Sequence, residues 1–411
     1  MAQAAQSTIR DEAYATPLDT LDMSEERRFR DDTIWPYFDR MRKETPVHYC
    51  PKSHFGPYWS ITRYNDIVAV DTNHKVFSSV GGVSLLEPRS EELRAPNFIS
   101  MDPPKHDEQR KAVSPIVAPA NLFNFEPLIR ERTINVLESL PVNETFNWVD
   151  RVSIELTTQM LATLFDFPFE DRRLLTHWSD VVTTIPVTPA DWDYREAELQ
   201  KCLAYFVRIW NERVNAPPRP DLISMLAHNP ATNKMPPREY LGNLALLIVG
   251  GNDTTRNSMT GGLYHLSQNP AEYDKLRADP ALIPNMISEI IRYQTPLAYM
   301  RRRALTDIVM GGKTIRAGDK VVMWYVSGNR DEAMIEDPYR FWIDRPKVRQ
   351  HLSFGFGIHR CVGNRLAELQ LRILWEEILK RYPHIDVVGP PMRVSSSFVR
   401  GYTELPVRLQ G

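Results

Sequence analysis

The sequence has few cysteines and no long apolar segment. The three cysteines among 411 residues, Cys50, Cys202 and Cys361, are odd in number and widely spaced, which argues against a disulfide framework and for a reducing compartment. The longest apolar run, 244–249, is far too short to cross a bilayer, and the polar, acidic N-terminus has no hydrophobic signal segment. We therefore expect a cytoplasmic protein that is not membrane-bound.

An excess of one charge is also missing. The 50 Lys and Arg residues nearly balance the 52 Asp and Glu residues, which leaves a net charge of -2. This balance gives no reason to expect nucleic acid or a membrane surface as a partner. The chain has no internal repeat and no low-complexity tract, and its 42% hydrophobic content is ample for a large core. Length alone would be consistent with two or three domains.

Local patterns indicate a mainly helical chain. Strand-like runs at 47–50 and 58–62 predict a small sheet, Gly311 and Gly312 mark a hairpin turn, and a final hairpin is expected near 398–407. Between these regions, helical patterns extend to about Tyr293, and clusters of prolines interrupt them.

The most informative segment is a glycine-rich stretch around Cys361. From Phe354 to Gly363 it reads Phe-Gly-Phe-Gly-Ile-His-Arg-Cys-Val-Gly. Glycines permit the positive-φ turns and close backbone approach that a loop under a large planar cofactor needs. A helical pattern starts at Leu366, so the thiolate would lie just before a helix N-terminus, where negative charge is favoured. Such a sulfur suits heme iron; the alternative interpretation is a buried structural cysteine.

A second unusual pattern lies in a long helix that we expect to begin near Pro237 or Glu239. A wide apolar face is followed by Gly-Gly-Asn-Asp-Thr-Thr at 250–255, although glycine and short polar residues disfavour a helix interior. The apolar periodicity resumes at Leu263, which argues against a polar helix end. The segment therefore serves something other than helix stability.

Together these segments resemble the cytochrome P450 family, from about Trp35 to the end of the chain. The resemblance implies one mainly α-helical heme-thiolate domain over 1–411 with small β-sheets. The polar N-terminal residues 1–30 are expected to form a loosely ordered arm. Heme b would lie between the long central helix and the helix that follows the cysteine loop. Cys361 matches the axial iron ligand, and Phe354 and Gly363 match loop residues that contact the heme.

The resemblance also implies catalytic roles in the central helix. Gly250, Gly251, Asp253 and Thr254 match the glycine pair, acid and threonine that lie beside the site of oxygen activation. The glycines make room for the ligand, the Thr254 hydroxyl can donate a hydrogen bond, and Asp253 would help to bring protons through water. We therefore expect Asp253 and Thr254 to be catalytic.

Cations of four segments match the family's contacts to the heme propionates. Carboxylates are bound well by arginine and histidine, and the matching residues here are His106, Arg110, Arg302 and His359. The tandem arginines at 301–303 leave open which one faces the heme.

A Glu-x-x-Arg pair, Glu289 and Arg292, is common on helix surfaces and is weak by itself. In the family it forms a buried network with a further arginine, which Arg340 within 337–341 matches. We expect these three residues to support folding and heme incorporation.

The segments 250–258, 351–374 and 396–408 resemble the bacterial subfamily that hydroxylates medium-chain alkanes and fatty acids at the terminal carbon (omega-hydroxylation). Terminal methyl C–H bonds are the strongest in such a chain, so selectivity requires a narrow apolar tunnel. Whether the far end of that tunnel holds a carboxylate is not readable from the sequence. The candidate wall residues are Val83, Leu85, Leu86, Leu246, Val249, Gly250, Leu297, Ala298 and Phe398.

Electrons must arrive from outside, because the chain has no convincing nucleotide fingerprint and no cluster-type cysteine spacing. We expect a monomer that receives them from a ferredoxin with an NAD(P)H-dependent ferredoxin reductase. Arg345, Lys347, Arg349 and Arg360 offer a basic face to such a partner; a solvated charge run is the alternative.

Other functions remain open at this stage. Hydroxylation of a terpene, steroid or other bulky apolar molecule would need only a different pocket shape. A peroxide-driven enzyme or an isomerase would usually replace the acid and alcohol pair that Asp253 and Thr254 supply. A heme sensor would need an output module, for which the chain shows no candidate.

Overall fold

The computed structural model describes residues 2–410, and within that range the chain is mainly helical with small β-sheets, as predicted. The helices are α1 (Ala2–Ala15), α2 (Glu26–Arg30), α3 (Trp35–Glu44), α4 (Tyr64–Thr72), α5 (Lys105–Val113), α6 (Pro119–Glu138), α7 (Glu155–Phe165), α8 (Arg173–Thr183), α9 (Pro189–Val214), α10 (Leu222–His228), α11 (Pro237–Gln268), α12 (Pro270–Ala278), α13 (Ile283–Gln294), α14 (Tyr325–Gly328) and α15 (Asn364–Arg381). The strands are β1 (Val47–Cys50), β2 (Tyr58–Ile61), β3 (Phe77–Ser78), β4 (Thr145–Asn147), β5 (Met300–Ala304), β6 (Ile308–Met310), β7 (Lys313–Ile315), β8 (Lys320–Met323), β9 (Ile385–Val387), β10 (Met392–Arg393), β11 (Tyr402–Glu404) and β12 (Pro406–Leu409).

The largest sheet has five strands in the order β1-β2-β8-β5-β3. Strands β1 and β2 form the predicted antiparallel pair, with Val47 opposite Ile61. Strand β8 joins β2 in parallel and β5 in antiparallel orientation, so that β5 lies inside the sheet. The hairpin of β6 and β7 turns at Gly311 and Gly312, both with positive φ, as the sequence predicted.

The expected final hairpin is wrong. Strand β11 pairs with β10, whereas β12 pairs on its two sides with β4 and β9. Only one residue, Leu405, separates β11 from β12, and its side chain is fully buried. The chain therefore passes from one sheet to another at this point, and the alternating residues Val407 and Leu409 are buried in the same apolar core as Tyr402 and Leu405.

Helix α11, with 32 residues, is the central element of the helical region and packs against α7, α8, α9, α12, α13 and α15. Its first half contributes Leu241, Leu244 and Ile248 to one buried apolar cluster. Its last turns contribute Leu263 and Leu266 to another. The glycine-rich and polar segment predicted to interrupt the pattern lies between these two clusters, and the helix continues through it. Among the described residues, no helix is both long and apolar enough for a membrane span.

The N-terminal region differs from the expected loose arm. Helix α1 packs against α3, and the Arg40 guanidinium of α3 donates to the carbonyls of Ala13 (2.7 Å) and Thr16 (2.6 Å). Leu21, Met23 and Phe29 are buried with Ala13 in the same apolar cluster. Arginine hydrogen bonds to the end of α1 and apolar burial thus fix residues that a polar composition alone had indicated to be loose.

Candidate functional site

The loop before α15 is shaped around Cys361. Gly355 and Gly357 have φ values of +65° and +66°, and a Cβ at Gly357 would lie 2.6 Å from the carbonyl oxygen of Asp71. Only glycine satisfies both the backbone conformation and this close approach. The loop closes where the Cys361 amide donates to the carbonyl of Phe354 at 2.8 Å. Cys361 therefore lies three residues before the first residue of α15, as the sequence predicted.

The Cys361 thiol faces a cavity inside the protein. The residue is exposed to that cavity, and burial within the protein raises the pKa of its thiol above the ordinary value. A hydrogen bond from the Gly363 backbone and the charges of Arg110 and Arg360 act in the opposite direction and stabilise a thiolate. Since a metal ion deprotonates a thiol that coordinates it, this sulfur is suited to act as a metal ligand.

The cavity has a volume of about 880 Å³ and extends from the Cys361 loop to α11. On the α11 side it is lined by Gly250, Gly251 and Thr254. A Cβ at Gly250 would meet no atom within 4 Å, so this glycine borders open space, whereas a Cβ at Gly251 would lie 2.6 Å from Leu161 Cδ2. The glycine pair thus has two tasks: Gly250 keeps the cavity open, and Gly251 lets α11 approach α7.

The two expected catalytic residues are oriented differently. Thr254 lines the cavity, and its hydroxyl donates to the Gly250 carbonyl at 3.0 Å. Asp253 is fully buried on another face of α11, where Ser179 of α8 donates to its carboxylate at 2.7 Å and Arg256 forms an ion pair with it. Burial raises the pKa of Asp253, and Arg256 and Ser179 oppose that effect. Asp253 is not among the residues that line the cavity.

Of the three tandem arginines on strand β5, only Arg302 lines the cavity. Side chains alternate along a strand. Arg301 donates to the carbonyls of Gly81 (2.6 Å) and Gly82 (2.7 Å), and both Arg301 and Arg303 reach Glu87. Arg302 points to the other face, lines the cavity and forms a buried ion pair of 2.7 Å with Asp71.

Asp71 is a site residue that no sequence pattern indicated. One of its carboxylate oxygens binds Arg302, and the other accepts hydrogen bonds from the Tyr325 hydroxyl (2.9 Å) and from the amide of Phe356 (2.7 Å). Asp71 therefore joins the cavity arginine to the cysteine loop. Its partners lie more than 230 positions away in the sequence, so no local pattern could have indicated them.

The remaining expected propionate contacts come together beside Arg302. The rings of His106 and His359 meet edge to face with centroids 4.4 Å apart, and both residues are buried. Burial, together with Arg302, lowers the pKa of His359 to about 2, so its ring is neutral. Arg110 lines the cavity and donates to the backbone carbonyl of Arg360.

These residues fit a heme. Among the described residues, His106 Nε2 and both ring nitrogens of His359 are buried without a hydrogen-bond partner, although buried polar atoms normally have one. Propionate carboxylates beside this group could accept hydrogen bonds from the histidine N–H groups and from the arginines. Gly363, like Gly250, lines the cavity with open space at its Cβ position, so neither wall obstructs a planar group near the Cys361 sulfur.

The expected substrate residues divide into two sets. Those that line the cavity are Val83, Leu86, Leu246, Val249, Gly250, Leu297 and Phe398. Leu85 and Ala298 do not line it, which corrects their assignment; they are buried in the apolar cluster that contains Tyr299 and Trp324. Each lies between two residues that do line the cavity, so nearness in sequence does not decide which side chain faces it.

The buried ion-pair network uses a different third arginine from the one expected. Glu289 binds Arg292 with both carboxylate oxygens at 2.7 and 2.8 Å, and Arg345 with one at 3.1 Å. The Arg340 side chain is half exposed and lies 3.6 Å from Glu272. Arg345 is also flanked by a phenylalanine and a proline, because Phe341 precedes it by four residues and Pro346 follows it directly, so the sequence pattern fitted it as well. Its burial also removes Arg345 from the expected basic face.

Comparison with known proteins gives a consistent result. The family model described as Cytochrome P450 matches residues 190–402. The chain is 36% identical to linalool 8-monooxygenase of Pseudomonas putida over 390 residues, covering 90% of this chain and 94% of that protein. It is 30% identical to a methyl-branched lipid omega-hydroxylase of Mycobacterium bovis, covering 92% and 91%. The solved structure of CYP153D17 from Sphingomonas sp. PAMC 26605 superposes with a TM-score of 0.92 at 48% identity, covering 96% of this chain and all of that one.

Proposed function

The chain belongs to the cytochrome P450 family, and on that premise we propose that it hydroxylates the terminal carbon of medium-chain n-alkanes or fatty acids. As a P450 monooxygenase it binds heme b, whose thiolate-ligated iron activates dioxygen when redox partners supply electrons. One oxygen atom enters a substrate C–H bond, and the other leaves as water after uptake of two electrons and two protons.

The observation that carries the proposal is the apolar wall next to Gly250 and Thr254. Three parts of the chain form it. They are the 83–86 segment, α11, and the pair of segments around Leu297 and Val399, which an isolated β-bridge joins. Aliphatic and aromatic side chains from all three face the same cavity, which suits the apolar end of a linear molecule. The likeness to a methyl-branched lipid omega-hydroxylase supports oxidation at the terminal carbon.

In this proposal the residues on the thiolate side hold the cofactor. Cys361 would supply the sulfur ligand of the iron, and Phe354 and Gly363 would border the cofactor. The charged and polar groups of His106, Arg110, Arg302 and His359 would receive the propionates.

On the α11 side, Thr254 would position a proton with its hydroxyl, and Gly250 would leave room beside it. The Thr254 hydroxyl must exchange its bond to the Gly250 carbonyl for one that points into the cavity. Asp253 would deliver protons only after it rotates away from Ser179 and Arg256. Its raised pKa favours the protonated form that such a delivery needs.

We further infer that the electron donor is a ferredoxin with an NAD(P)H-dependent reductase, which docks on the side of the Cys361 loop. Arg349, Arg360 and Arg365 all lie near enough to Glu368 to lower the pKa of its carboxyl, against the effect of burial. This excess of positive charge beside the thiolate suits an acidic protein. Raising the salt concentration should increase the apparent Michaelis constant for ferredoxin, and a salt-independent reduction rate would contradict the inference.

The proposal is tested by optical titration of the ferric holoenzyme with octane, dodecanoic acid and linalool. A shift of the Soret band toward the high-spin form with a linear compound, and a terminal alcohol as the product, are the expected results. Products hydroxylated at interior carbons would contradict it. A shift with linalool alone would favour the branched terpene substrate that the name of the Pseudomonas putida relative indicates.

A further inference from the structure

The wall of the cavity carries five arginine and lysine side chains, and they differ in how their charge is balanced. Three of them have a carboxylate partner: Arg94 with Glu91, Lys105 with Glu239, and Arg302 with Asp71. The other two, Arg110 and Arg195, have no carboxylate partner among the described residues. Arg110 lies beside Cys361 and belongs to the heme contacts proposed above. The charge of Arg195 is left without an assigned counterion.

Arg195 is held in place by neutral groups. Its Nη1 donates to the carbonyls at the C-terminal end of α8, at 2.8 Å for Val182 and 3.3 Å for Thr184, and to that of Val181. These bonds orient the guanidinium but provide only partial negative charge. The other guanidinium nitrogens have no hydrogen-bond partner among residues 2–410. Arg195 thus presents free donors in a fixed direction.

A full negative charge beside Arg195 would stabilise its guanidinium. Burial lowers the pKa of its guanidinium to about 10, and Glu196 opposes this only in part. Glu196 is occupied by Arg238, whose Nη2 lies 2.6 Å from the carboxylate. The neighbouring wall is formed by apolar side chains such as Ile185 and Leu199. A carboxylate that entered this region would meet a partly buried cation with unused donors.

Arg195 also lies on a different part of the wall from the proposed site of chemistry. It belongs to α9, whose main contacts are with α8, α10 and α11. The Cys361 loop leads into α15, which packs mainly against α6, α11 and α13. A linear molecule that has one end at Arg195 therefore extends along the cavity to place its other end toward Thr254 and Cys361.

We propose that Arg195 binds the carboxylate of the substrate, so that medium-chain fatty acids, rather than alkanes, are the preferred substrates. The proposal rests on the terminal hydroxylation proposed above and specifies which of its two substrate classes is favoured. The apolar chain would follow the aliphatic wall, and the terminal methyl group would be the part that reaches the iron.

The test compares a charged and a neutral ligand of equal chain length in the ferric holoenzyme. Dissociation constants for dodecanoic acid and methyl dodecanoate are measured from the spin-state change in wild type, Arg195→Gln, Arg195→Lys and Arg208→Gln. Arg208 is an exposed arginine of the same helix that does not line the cavity, and its replacement removes the same charge.

In wild type we expect the acid to bind at least about tenfold more tightly than the ester, although the ester is the more apolar ligand. Arg195→Gln should weaken the acid about tenfold to a hundredfold, the range for a hydrogen bond to a charged group, and should change the ester less than about twofold. Arg195→Lys should retain part of the preference, and Arg208→Gln should resemble wild type.

Equal weakening of acid and ester binding by Arg195→Gln would overturn the proposal. Arg195 would then only stabilise the C-terminal end of α8. A wild-type protein that binds the ester as well as the acid would also overturn it, while the proposed terminal hydroxylation would stand. A wild-type protein that binds neither linear ligand would remove both, since the carboxylate site depends on a linear substrate. The wild-type comparison needs no variant to fold.

Discussion

Replacement of Arg345 by methionine should lower the free energy of unfolding by about 3 kcal/mol. The guanidinium of Arg345 is buried and binds Glu289 at 3.1 Å, and it also donates to the carbonyls of Asp337 (3.1 Å) and Arg340 (2.7 Å). Breaking a buried ion pair costs about 3 to 5 kcal/mol. The lower end applies because Arg292 still neutralises Glu289 through two short hydrogen bonds.

Arg340 provides a matched control five residues away. Its side chain is 51% exposed and lies 3.6 Å from Glu272, and exposed ion pairs contribute about 0 to 1 kcal/mol. Arg340→Met should therefore cost at most about 1 kcal/mol. Urea unfolding of both holoproteins, followed by circular dichroism and by the Soret band, gives the two values. An equal loss in both variants, or a larger loss for Arg340→Met, would refute the assignment of Arg345 to the network.

Three further predictions concern the cavity. Thr254→Ala should continue to consume NADH but yield less product and more peroxide, because the positioned hydroxyl is lost. Thr254→Ser should stay near wild type. Equal product per NADH in wild type and the alanine variant would argue against proton positioning by Thr254. Gly251→Ala should lower the free energy of unfolding by about 1 to 3 kcal/mol, because its Cβ would lie 2.6 Å from Leu161 Cδ2. Gly250→Ala should fold normally but change the spin-state response to substrate. Thermal unfolding that shows the Gly250 variant to be the less stable of the two would contradict the packing of this helix. Cys361→Ser should abolish the ferrous–CO Soret band at the wavelength that gives the family its name, and an unchanged band would show that another residue ligates the iron.

The parts of the site that the sequence predicted are those with a local signal. Glycines around one cysteine and a glycine pair inside an apolar helix are visible at short range, because their physical requirement is local. The long helix α11 continues through its polar segment since buried clusters hold it on both sides. Neither feature depends on knowing which strands or helices are neighbours.

The parts that the sequence did not predict depend on register and on distant partners. Only the pairing of β5 with β8 determines that Arg302 faces Asp71 while Arg301 turns away. Leu85 and Ala298 are turned away from the cavity although both sequence neighbours of each line it. Arg340 and Arg345 fit one sequence pattern, and their different burial decides between them. No spacing rule could have joined α4 to the cysteine loop through Asp71.

Terminal monooxygenation is tested most directly by incubation of the reconstituted enzyme with ¹⁸O₂, dodecanoic acid and a ferredoxin–reductase pair. Mass spectrometry then locates the oxygen introduced into the product. We expect one ¹⁸O atom at the terminal carbon in most of the product. A label at interior carbons, or a hydroxyl oxygen that derives from water, would contradict terminal monooxygenation.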